Sequence, residues 1–176
     1  MPSDVVLRNY FHAKDENRPH LLDRVFTEDV LLEVRNSTST ISFPAVTTGR
    51  EPVADVLVRS FGQTYENVYS YCLQRPRGPL PSFVCQWIVA MTEKTSRKVR
   101  LGCGRYEWEF DAAPPNLARG LVITIAEMEV LPPAAVAEVL SFVARLTYPW
   151  SSPTEVKEAV SAHTLFGPVF QHLAAK

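Results

Sequence analysis

The sequence has little of what marks several large classes of protein. Its three cysteines, Cys72, Cys85 and Cys103, are an odd number and lie far apart, which argues against both a disulfide framework and a zinc site. No run of about 18 apolar residues occurs, so we predict no membrane-spanning helix and no membrane partner. The formal net charge is only −1, so we expect no nucleic-acid partner, because such partners select a strongly basic surface.

We also predict no secretion signal, because charged side chains appear too early in the opening stretch MPSDVVLRNYFHAKDENRPH. Together with the cysteine pattern, this indicates a protein of the reducing cytoplasm. What is present is ordinary: the chain has 176 residues, of which 46% are hydrophobic and 21% charged. That length and composition fit one globular domain with a core of its own.

Helical patterns dominate the first third of the chain. Residues 4–16 carry a helical stripe of apolar side chains, and Pro19 fits the first turn of a second helix. Residues 29–35 turn to β character, and the Ser- and Thr-rich residues 36–48 predict a second strand or a long hairpin. A third helix begins after Gly49, where apolar residues return at helical spacing.

Strand patterns follow the third helix. Residues 67–74 are β-branched and aromatic, whereas RPRGPLP (75–81) predicts a loop because it is rich in proline. Three long strands come next, at about 82–93, 98–110 and 119–131. Consecutive long strands joined by short loops predict an antiparallel meander.

The order of these elements predicts an α+β domain, because helices concentrate at one end of the chain and strands at the other. A strongly curved, mostly antiparallel sheet with three N-terminal helices on its concave face would enclose a cone-shaped cavity. We expect this domain to span residues 1–131. Residues 132–176 are predicted to form a helical C-terminal tail that packs on the same domain.

Four stretches carry a resemblance to a known superfamily. They are DENRPHLLDRVFTEDVLLEV (15–34), TGREPVADVL (48–57), GCGRYEWEF (102–110) and VITIAEMEVLPP (122–133). The sequence resembles the nuclear-transport-factor-2-like superfamily, in its SnoaL-like branch, which implies the cone-shaped fold. The resemblance leaves the reaction open, because the superfamily contains ketosteroid isomerases, scytalone dehydratases, polyketide cyclases, limonene epoxide hydrolases and proteins that only bind or assemble.

The resemblance implies candidate residues for some of these chemistries. Tyr10 falls where the isomerases hold an oxyanion with a tyrosine. Their carboxylate base falls at Val34, beside Glu33, and their second donor falls near Cys103. Since only the tyrosine matches, isomerase chemistry is a poor fit. His12 lies near a position that is functional in the dehydratases.

The meander offers a second set of candidates. Arg105 and Glu107 share one face of a strand, with Glu127 or Glu129 on the next strand. This set resembles the arginine and carboxylates with which the epoxide hydrolases activate water, although that family's arginine falls one strand earlier, near Trp87. Glu127 or Glu129 would also stand nearest to the carboxylate base of the cyclases.

The stretch GCGRYEWEFD decides how these charges are interpreted. Strand alternation puts Arg105, Glu107 and Glu109 on one face and aromatic residues on the other. We expect the charges to face water or a dimer interface, because burying the cluster would cost several kcal/mol per unpaired ion. The alternative is a pocket that holds one Arg–Glu pair, since Leu101 and Cys103 begin the same face and could line the inner part of a cavity.

Two hypotheses for function follow. The first is an acid–base enzyme of isomerase, cyclase, dehydratase or hydrolase type, acting on a small apolar or polyketide-like molecule without a cofactor or metal. The second is a noncatalytic ligand-binding or assembly protein of the same fold. The enzyme hypothesis assigns catalytic roles to Tyr10, Glu33, Arg105 and Glu127, and pocket positions to His12, Trp87, Cys103 and Glu107.

We also expect a homodimer through the outer face of the sheet. An antiparallel sheet usually buries only one face within its own chain. Here the large residues Trp87, Tyr106, Trp108 and Phe110 are more than we expect one cavity to hold. A partner subunit or the C-terminal tail would then cover the remaining apolar surface.

Overall fold

The computed structural model describes residues 1–160 and residue 171. Six strands form one curved sheet in the order β2-β1-β6-β5-β4-β3. Neighbouring strands are antiparallel except for β1 and β6, which run parallel. This confirms the predicted α+β class and the mostly antiparallel sheet. The strands are β1 (Phe26–Asn36), β2 (Val46–Thr48), β3 (Tyr65–Cys72), β4 (Ser82–Glu93), β5 (Val99–Phe110) and β6 (Ala118–Leu131).

Helical elements of the N-terminal part cover the concave face of this sheet. The second predicted helix is a 3₁₀ helix, and the third consists of two short α-helices with a π-helical segment between them. The elements are α1 (Ser3–Asp15), the 3₁₀ helix (Pro19–Arg24), α2 (Arg50–Ala54), the π-helical segment (Asp55–Arg59) and α3 (Ser60–Thr64).

The start of α2 shows how the sequence fixes a helix on the sheet. Gly49 has a φ of 93°, a conformation that glycine adopts without the steric cost of a Cβ atom. The guanidinium of the next residue, Arg50, pairs with Asp23 at 3.1 Å and donates to the Phe26 carbonyl at 3.2 Å. These contacts tie α2 to the beginning of β1, so the sequence GRE acts as scaffold here.

The concave side holds an aromatic core. Trp87, Tyr106, Trp108 and Phe110 all lie in it, so these large side chains are covered by the helices of their own chain and not by a partner subunit. Ring stacking explains how they fit, because the rings of Trp108 and Phe110 are nearly parallel, with centroids 6.2 Å apart.

The C-terminal tail builds a second core on the convex face. After a 3₁₀ turn (Pro133–Ala135), α4 (Val136–Val143) and α5 (Pro153–Val160) pack over β3, β4 and β5. Phe142 is fully buried there, and the Tyr71 hydroxyl donates to the Val143 carbonyl at 2.7 Å. The described part of the tail therefore covers the convex face where β3, β4 and β5 carry this second core. The predicted tail beyond Val160 lies outside the described residues, apart from residue 171.

The cysteines depart from the sequence-based expectation. Cys72 and Cys85 form a disulfide between β3 and β4, with Cα atoms 6.3 Å apart, whereas Cys103 is buried and takes no part in a disulfide. The expectation of no disulfide is wrong because strand pairing, which chain spacing does not reveal, brings the two cysteines together. The bond joins the ends of the proline-rich loop between the two strands.

Candidate functional site

A cavity of about 40 Å³ lies between α1, the helical segment 50–64 and the concave face of the sheet. We call it the inner cavity. Most of its wall is apolar, and its polar groups come from Tyr10, Lys14, Trp87 and Tyr106. It is lined by Tyr10, Lys14, Val34, Ile41, Phe43, Leu57, Phe61, Trp87, Val89, Met91, Tyr106, Ile123, Ile125 and Met128.

Two buried hydrogen-bond donors of the wall are unpartnered. Tyr10 is fully buried and Trp87 is 3% exposed. Neither the Tyr10 O–H nor the Trp87 indole N–H has an acceptor among the described residues, although the Tyr106 hydroxyl acts on the Tyr10 oxygen as a donor. Because buried polar groups are nearly always paired, two orphan donors in one apolar cavity mark a place where an acceptor is missing.

Glycine in β5 makes room for the Trp87 ring. A Cβ atom on Gly104 would lie 2.7 Å from the Trp87 ring and 1.9 Å from the Thr124 carbonyl oxygen. The ladder between β5 and β6 is also irregular at this point, between Cys103 and Gly104. The sequence GCG thus lets the indole ring lie directly against the strand, as a larger residue at position 104 would prevent.

The tyrosines of the cavity wall are held neutral. Burial raises the pKa of Tyr10, an effect that the neighbouring Tyr106 hydroxyl offsets only in part. Burial also raises the pKa of Tyr106, and the nearby Tyr10 adds to that effect. Both groups therefore stay protonated at neutral pH, so Tyr10 can donate a hydrogen bond but is a poor proton acceptor.

A charged cluster lies at the end of α1, beside the inner cavity. The side chains of Lys14 and Asp15 are 10% and 2% exposed and pair at 3.2 Å. Lys14 also donates to the Ser70 hydroxyl at 2.8 Å. Asp15 accepts from the Ser70 backbone N–H and hydroxyl, each at 2.8 Å, and from the Tyr148 hydroxyl at 3.1 Å. The Asp15 carboxylate is thus fully engaged by structural hydrogen bonds.

Sequence analysis missed Lys14. One signal was available, because Lys14 follows Tyr10 by four residues and therefore shares its face of α1. The partners of Lys14 could not be read from the sequence, since Ser70 and Phe61 lie far away along the chain. The Lys14 ammonium group also lies 4.7 Å from the centroid of the Phe61 ring, a cation–π contact that holds it at the cavity wall.

The predicted catalytic charges lie on the other face of the sheet. Arg105 pairs with Glu107 at 2.6 Å, and Arg35 pairs with Glu107 at 3.6 Å and with Glu33 at 3.1 Å. All four side chains are between 31% and 55% exposed. The structure therefore does not bring Glu33, Arg105 or Glu107 together with Tyr10, and Val34 rather than Glu33 lines the inner cavity.

The remaining candidates also divide between the faces. Trp87 lines the inner cavity. Cys103 belongs to the second core, under the tail, and Glu127 lies opposite it in the β5–β6 register, so neither contacts the cavity. His12 lies at the surface of α1, where its Nδ1 atom is 2.7 Å from a Glu16 carboxylate oxygen.

Among residues 1–160 and 171, no group of three or more His, Cys, Asp or Glu side chains is placed to hold a metal ion. No helix within those residues is long and apolar enough to cross a membrane. The polar groups of the inner cavity are those of Tyr10, Lys14, Trp87 and Tyr106.

The sequence matches no protein-family model and no curated protein, but solved structures share its fold. LinA matches with a TM-score of 0.58 over 72% of this chain and 84% of its own, at 10% sequence identity. An NTF2-like superfamily protein from Salmonella enterica matches with a TM-score of 0.56 over 69% of this chain and 87% of its own, at 12% identity. A protein with a ketosteroid isomerase-like fold from Catenulispora acidiphila, in complex with trimethylamine, matches with a TM-score of 0.53 over 67% and 82%, at 14% identity.

Similarity at 10% to 14% identity carries the fold and leaves the activity open. The SnoaL-like branch stays a prediction. The chain has the cone-shaped fold of the nuclear-transport-factor-2-like superfamily, as its sequence motifs predict.

Proposed function

We propose that this protein binds a small, mostly apolar molecule in the inner cavity, through one hydrogen-bond acceptor of that molecule. The observation that carries the proposal is the pair of unpartnered donors, the Tyr10 hydroxyl and the Trp87 indole N–H, in an otherwise apolar wall. A ligand oxygen that accepts from either donor would satisfy a buried group that now lacks a partner.

The charge balance of the cavity favours a neutral acceptor. Lys14 and Asp15 already neutralise one another, so an anionic ligand would leave one uncompensated charge in a buried place, at a cost of several kcal/mol. Lys14 has three N–H donors, and Asp15 and Ser70 accept from two of them. The chemistry therefore fits a ketone, ester or amide oxygen.

Binding without chemical change is the reading that the geometry supports best. Among the described residues, no carboxylate or histidine lines the inner cavity, and the neighbouring Asp15 carboxylate is engaged by Ser70, Lys14 and Tyr148. General acid–base catalysis needs a group that can exchange a proton near neutral pH. Tyr10 is a poor base because burial raises its pKa.

Protein NMR with 2-pentanone, a small neutral ketone, tests this proposal. We expect the Trp87 indole N–H signal and the backbone signals of Tyr10 to shift on titration. Tyr10→Phe should weaken binding about fivefold to tenfold, the usual worth of one neutral hydrogen bond. The matched control is Tyr69→Phe, at a tyrosine that is 42% exposed on the other face. Shifts confined to surface residues would contradict the proposal.

An acid–base enzyme is the second candidate. The specific observation in its favour is the donor Tyr10 in the cavity of a fold shared with a hexachlorocyclohexane dehydrochlorinase. In that reading Tyr10 would stabilise developing negative charge on a substrate oxygen, and Asp15 would have to exchange its present partners for a substrate proton. Mass spectrometry of ligands incubated with the protein separates the candidates, because only the enzyme would change their mass or isomeric form.

We also propose that the exposed part of the convex face forms a homodimer. A row of side chains crosses five strands there, in the order Val46, Glu33, Val122, Glu107 and Val84. The row alternates valines with glutamates, and Arg35 and Arg105 lie beside the glutamates. A surface that carries both charges and apolar groups can pair with the same surface of a second copy of the chain. Sedimentation equilibrium should find a dimer in the wild type and a monomer in Val122→Glu; a monomeric wild type would contradict this.

We also propose that the protein is cytoplasmic, as its sequence predicts. That prediction depended partly on unpaired cysteines, and the Cys72–Cys85 disulfide removes that argument. Fractionation of the host cell tests the location: recovery in the cytoplasmic fraction would support it, and recovery outside the cytoplasm would contradict it. Thiol labelling of the denatured protein without reduction tests the disulfide, because the Cys72–Cys85 bond protects both of those sulfur atoms.

A further inference from the structure

A second hollow adjoins the inner cavity on its outer side. It has a volume of about 310 Å³ and lies between the loop 37–45 and the helical segment 55–64. We call it the outer groove. Ile41, Phe43 and Phe61 line both hollows, so these three side chains form the wall between them. The outer groove is lined by Ile41, Ser42, Phe43, Pro44, Val56, Ser60, Phe61, Thr64 and Tyr65.

The two hollows differ in size and chemistry. The inner cavity, at about 40 Å³, has space for about three water-sized groups. It therefore holds the carbonyl end of a short ketone, and a longer carbon chain has to leave it. The outer groove is several times larger. Within the part of the chain that the structure describes, its wall contains hydroxyl groups and apolar side chains but no charged side chain. It suits an uncharged apolar chain.

We propose that the inner cavity and the outer groove form one two-part site for an elongated ligand. The acceptor end of the ligand lies in the inner cavity, and an unbranched apolar tail passes between Phe43 and Phe61 into the outer groove. The ligand class is therefore a linear alkyl ketone, ester or amide. This inference rests on the proposed binding function and extends it to the length and shape of the ligand.

The wall between the hollows has one side chain that is placed to move. The rings of Phe43 and Phe61 stack with centroids 6.4 Å apart. Phe61 is 6% exposed and is held by the Lys14 ammonium and by the Tyr65 ring, whose centroid is 4.8 Å away. Phe43 is only half-buried, so a ligand tail would displace Phe43 rather than Phe61.

The loop that carries Phe43 is anchored on both sides of it. Before Phe43, the Asn36 amide donates to the Ile41 carbonyl at 2.7 Å, and the Thr40 hydroxyl donates to a carbonyl of β6 at 2.6 Å. After it, the Ala45 carbonyl accepts from a backbone N–H of β1 at 2.9 Å. Motion of Phe43 can thus open the passage while the rest of the loop stays in place.

The helical segment joins the two parts of the site from the other side. Val56 lines the outer groove and its neighbour Leu57 lines the inner cavity. Both belong to the π-helical segment, a geometry that recurs at functional sites because it redirects side chains relative to an α-helix. Two consecutive residues therefore face the two parts of the same path.

A series of 2-alkanones, from 2-butanone to 2-decanone, tests the proposal by calorimetry. We expect affinity to rise about fourfold per methylene, the usual gain for burying one CH₂ group, and to continue rising beyond the short members that fill the inner cavity. Val56→Asp should leave the short ketones unchanged and weaken the long ones at least tenfold. The matched control is Val5→Asp, at an exposed valine that lines neither hollow, which should leave every affinity unchanged.

The outcomes distinguish a failure of the two-part site from a failure of the binding function. If short ketones bind but affinity stops rising with length, or Val56→Asp weakens long and short members equally, the two-part site is wrong and the binding function stands. If no member binds, the binding function fails and the two-part site fails with it. Stopped-flow measurements on Phe43→Ala give a second readout that does not depend on Val56. Because this variant opens the passage, its association and dissociation rates for the long ketones should both rise at least threefold. Unchanged rates would overturn the proposal.

Discussion

The two faces of strand β5 show how differently one alternating sequence is used. Trp108, facing the helices, is 1% exposed and packs edge-on to Tyr10, with ring centroids 5.1 Å apart. Its neighbour Glu107 faces outward and pairs with Arg105 and Arg35 at a half-exposed surface. The concave face thus carries the core and the cavity, whereas the charges that suggested catalysis form a surface network.

The convex face is itself divided. Toward β3 it carries Tyr71, Ile88 and Leu101, and the tail buries them. On β1 and β2, at the start of β4 and at the end of β5, it carries the paired charges and exposed apolar residues such as Val84 and Val46. The same face of one sheet is therefore core at one end and open surface at the other, which shows that covering by the tail, rather than strand alternation, decides burial there.

Trp108→Ala, on the concave face, should lower the free energy of unfolding more than any other variant proposed here. Removing a buried indole leaves a cavity among Tyr10, Phe26 and Phe110, and such truncations cost about 3–5 kcal/mol of unfolding free energy. Glu107→Ala, one residue away, should change it by less than about 0.5 kcal/mol. Urea denaturation of both variants measures the contrast. Equal losses would contradict the division between the two faces.

Phe142→Ala tests whether the tail is part of the folded domain. Phe142 is fully buried in the second core, so we expect a loss of about 3 kcal/mol in the global transition. Leu140→Ala is the control in the same helix, because Leu140 is only partly buried. A wild-type urea midpoint in Phe142→Ala would mean that the tail is an independent appendage.

Gly104→Ala should disturb the concave face without removing any group. The added methyl would meet the Thr124 carbonyl and the Trp87 ring, so we expect a loss of about 2 kcal/mol, as for other overpacked sites. Weaker 2-pentanone binding should accompany it, because the Trp87 ring must shift. Gly78→Ala has open space around its Cβ position but a φ of 72°, so it should cost stability without affecting binding.

The free energy of unfolding should fall progressively at alkaline pH, because two tyrosines are buried in the concave core. Burial raises the pKa of Tyr10 and of Tyr106 in the folded state. The unfolded chain therefore loses these protons first, near pH 10. Stability is fully present below about pH 10 and falls as pH rises above it, by about 1 kcal/mol per tyrosine over the first pH unit. Urea melts at a series of pH values should show a shallower fall for Tyr10→Phe than for wild type.

Arg105→Ala, on the convex face, should change the free energy of unfolding least of all these variants. Arg105 is 46% exposed, and surface ion pairs contribute about 0.5 kcal/mol or less. We expect neither stability nor 2-pentanone binding to change measurably. A loss of binding of tenfold or more would show that the convex charges communicate with the inner cavity, which the structure gives no reason to expect.

Sequence patterns predicted the strands and the fold because both depend on local periodicity. The meander appears within a few residues of its predicted bounds. The family resemblance, rather than periodicity, implies a pocket position for Tyr10, which lines the inner cavity together with Trp87. The patterns could not show that Cys72 meets Cys85 or that Tyr148 reaches Asp15. Such contacts join residues far apart in the chain, and they depend on register and on the docking of the tail.

The sequence by itself determined that Arg105, Glu107 and Glu109 share a face opposite Tyr106 and Trp108, since side chains alternate along any strand. Only the tertiary structure decided which face meets the helices. That choice follows from burial, because aromatic side chains gain free energy in the concave core and ion pairs keep their hydration outside. It places the donors Tyr10 and Trp87 in an apolar cavity and leaves the charges in solvent.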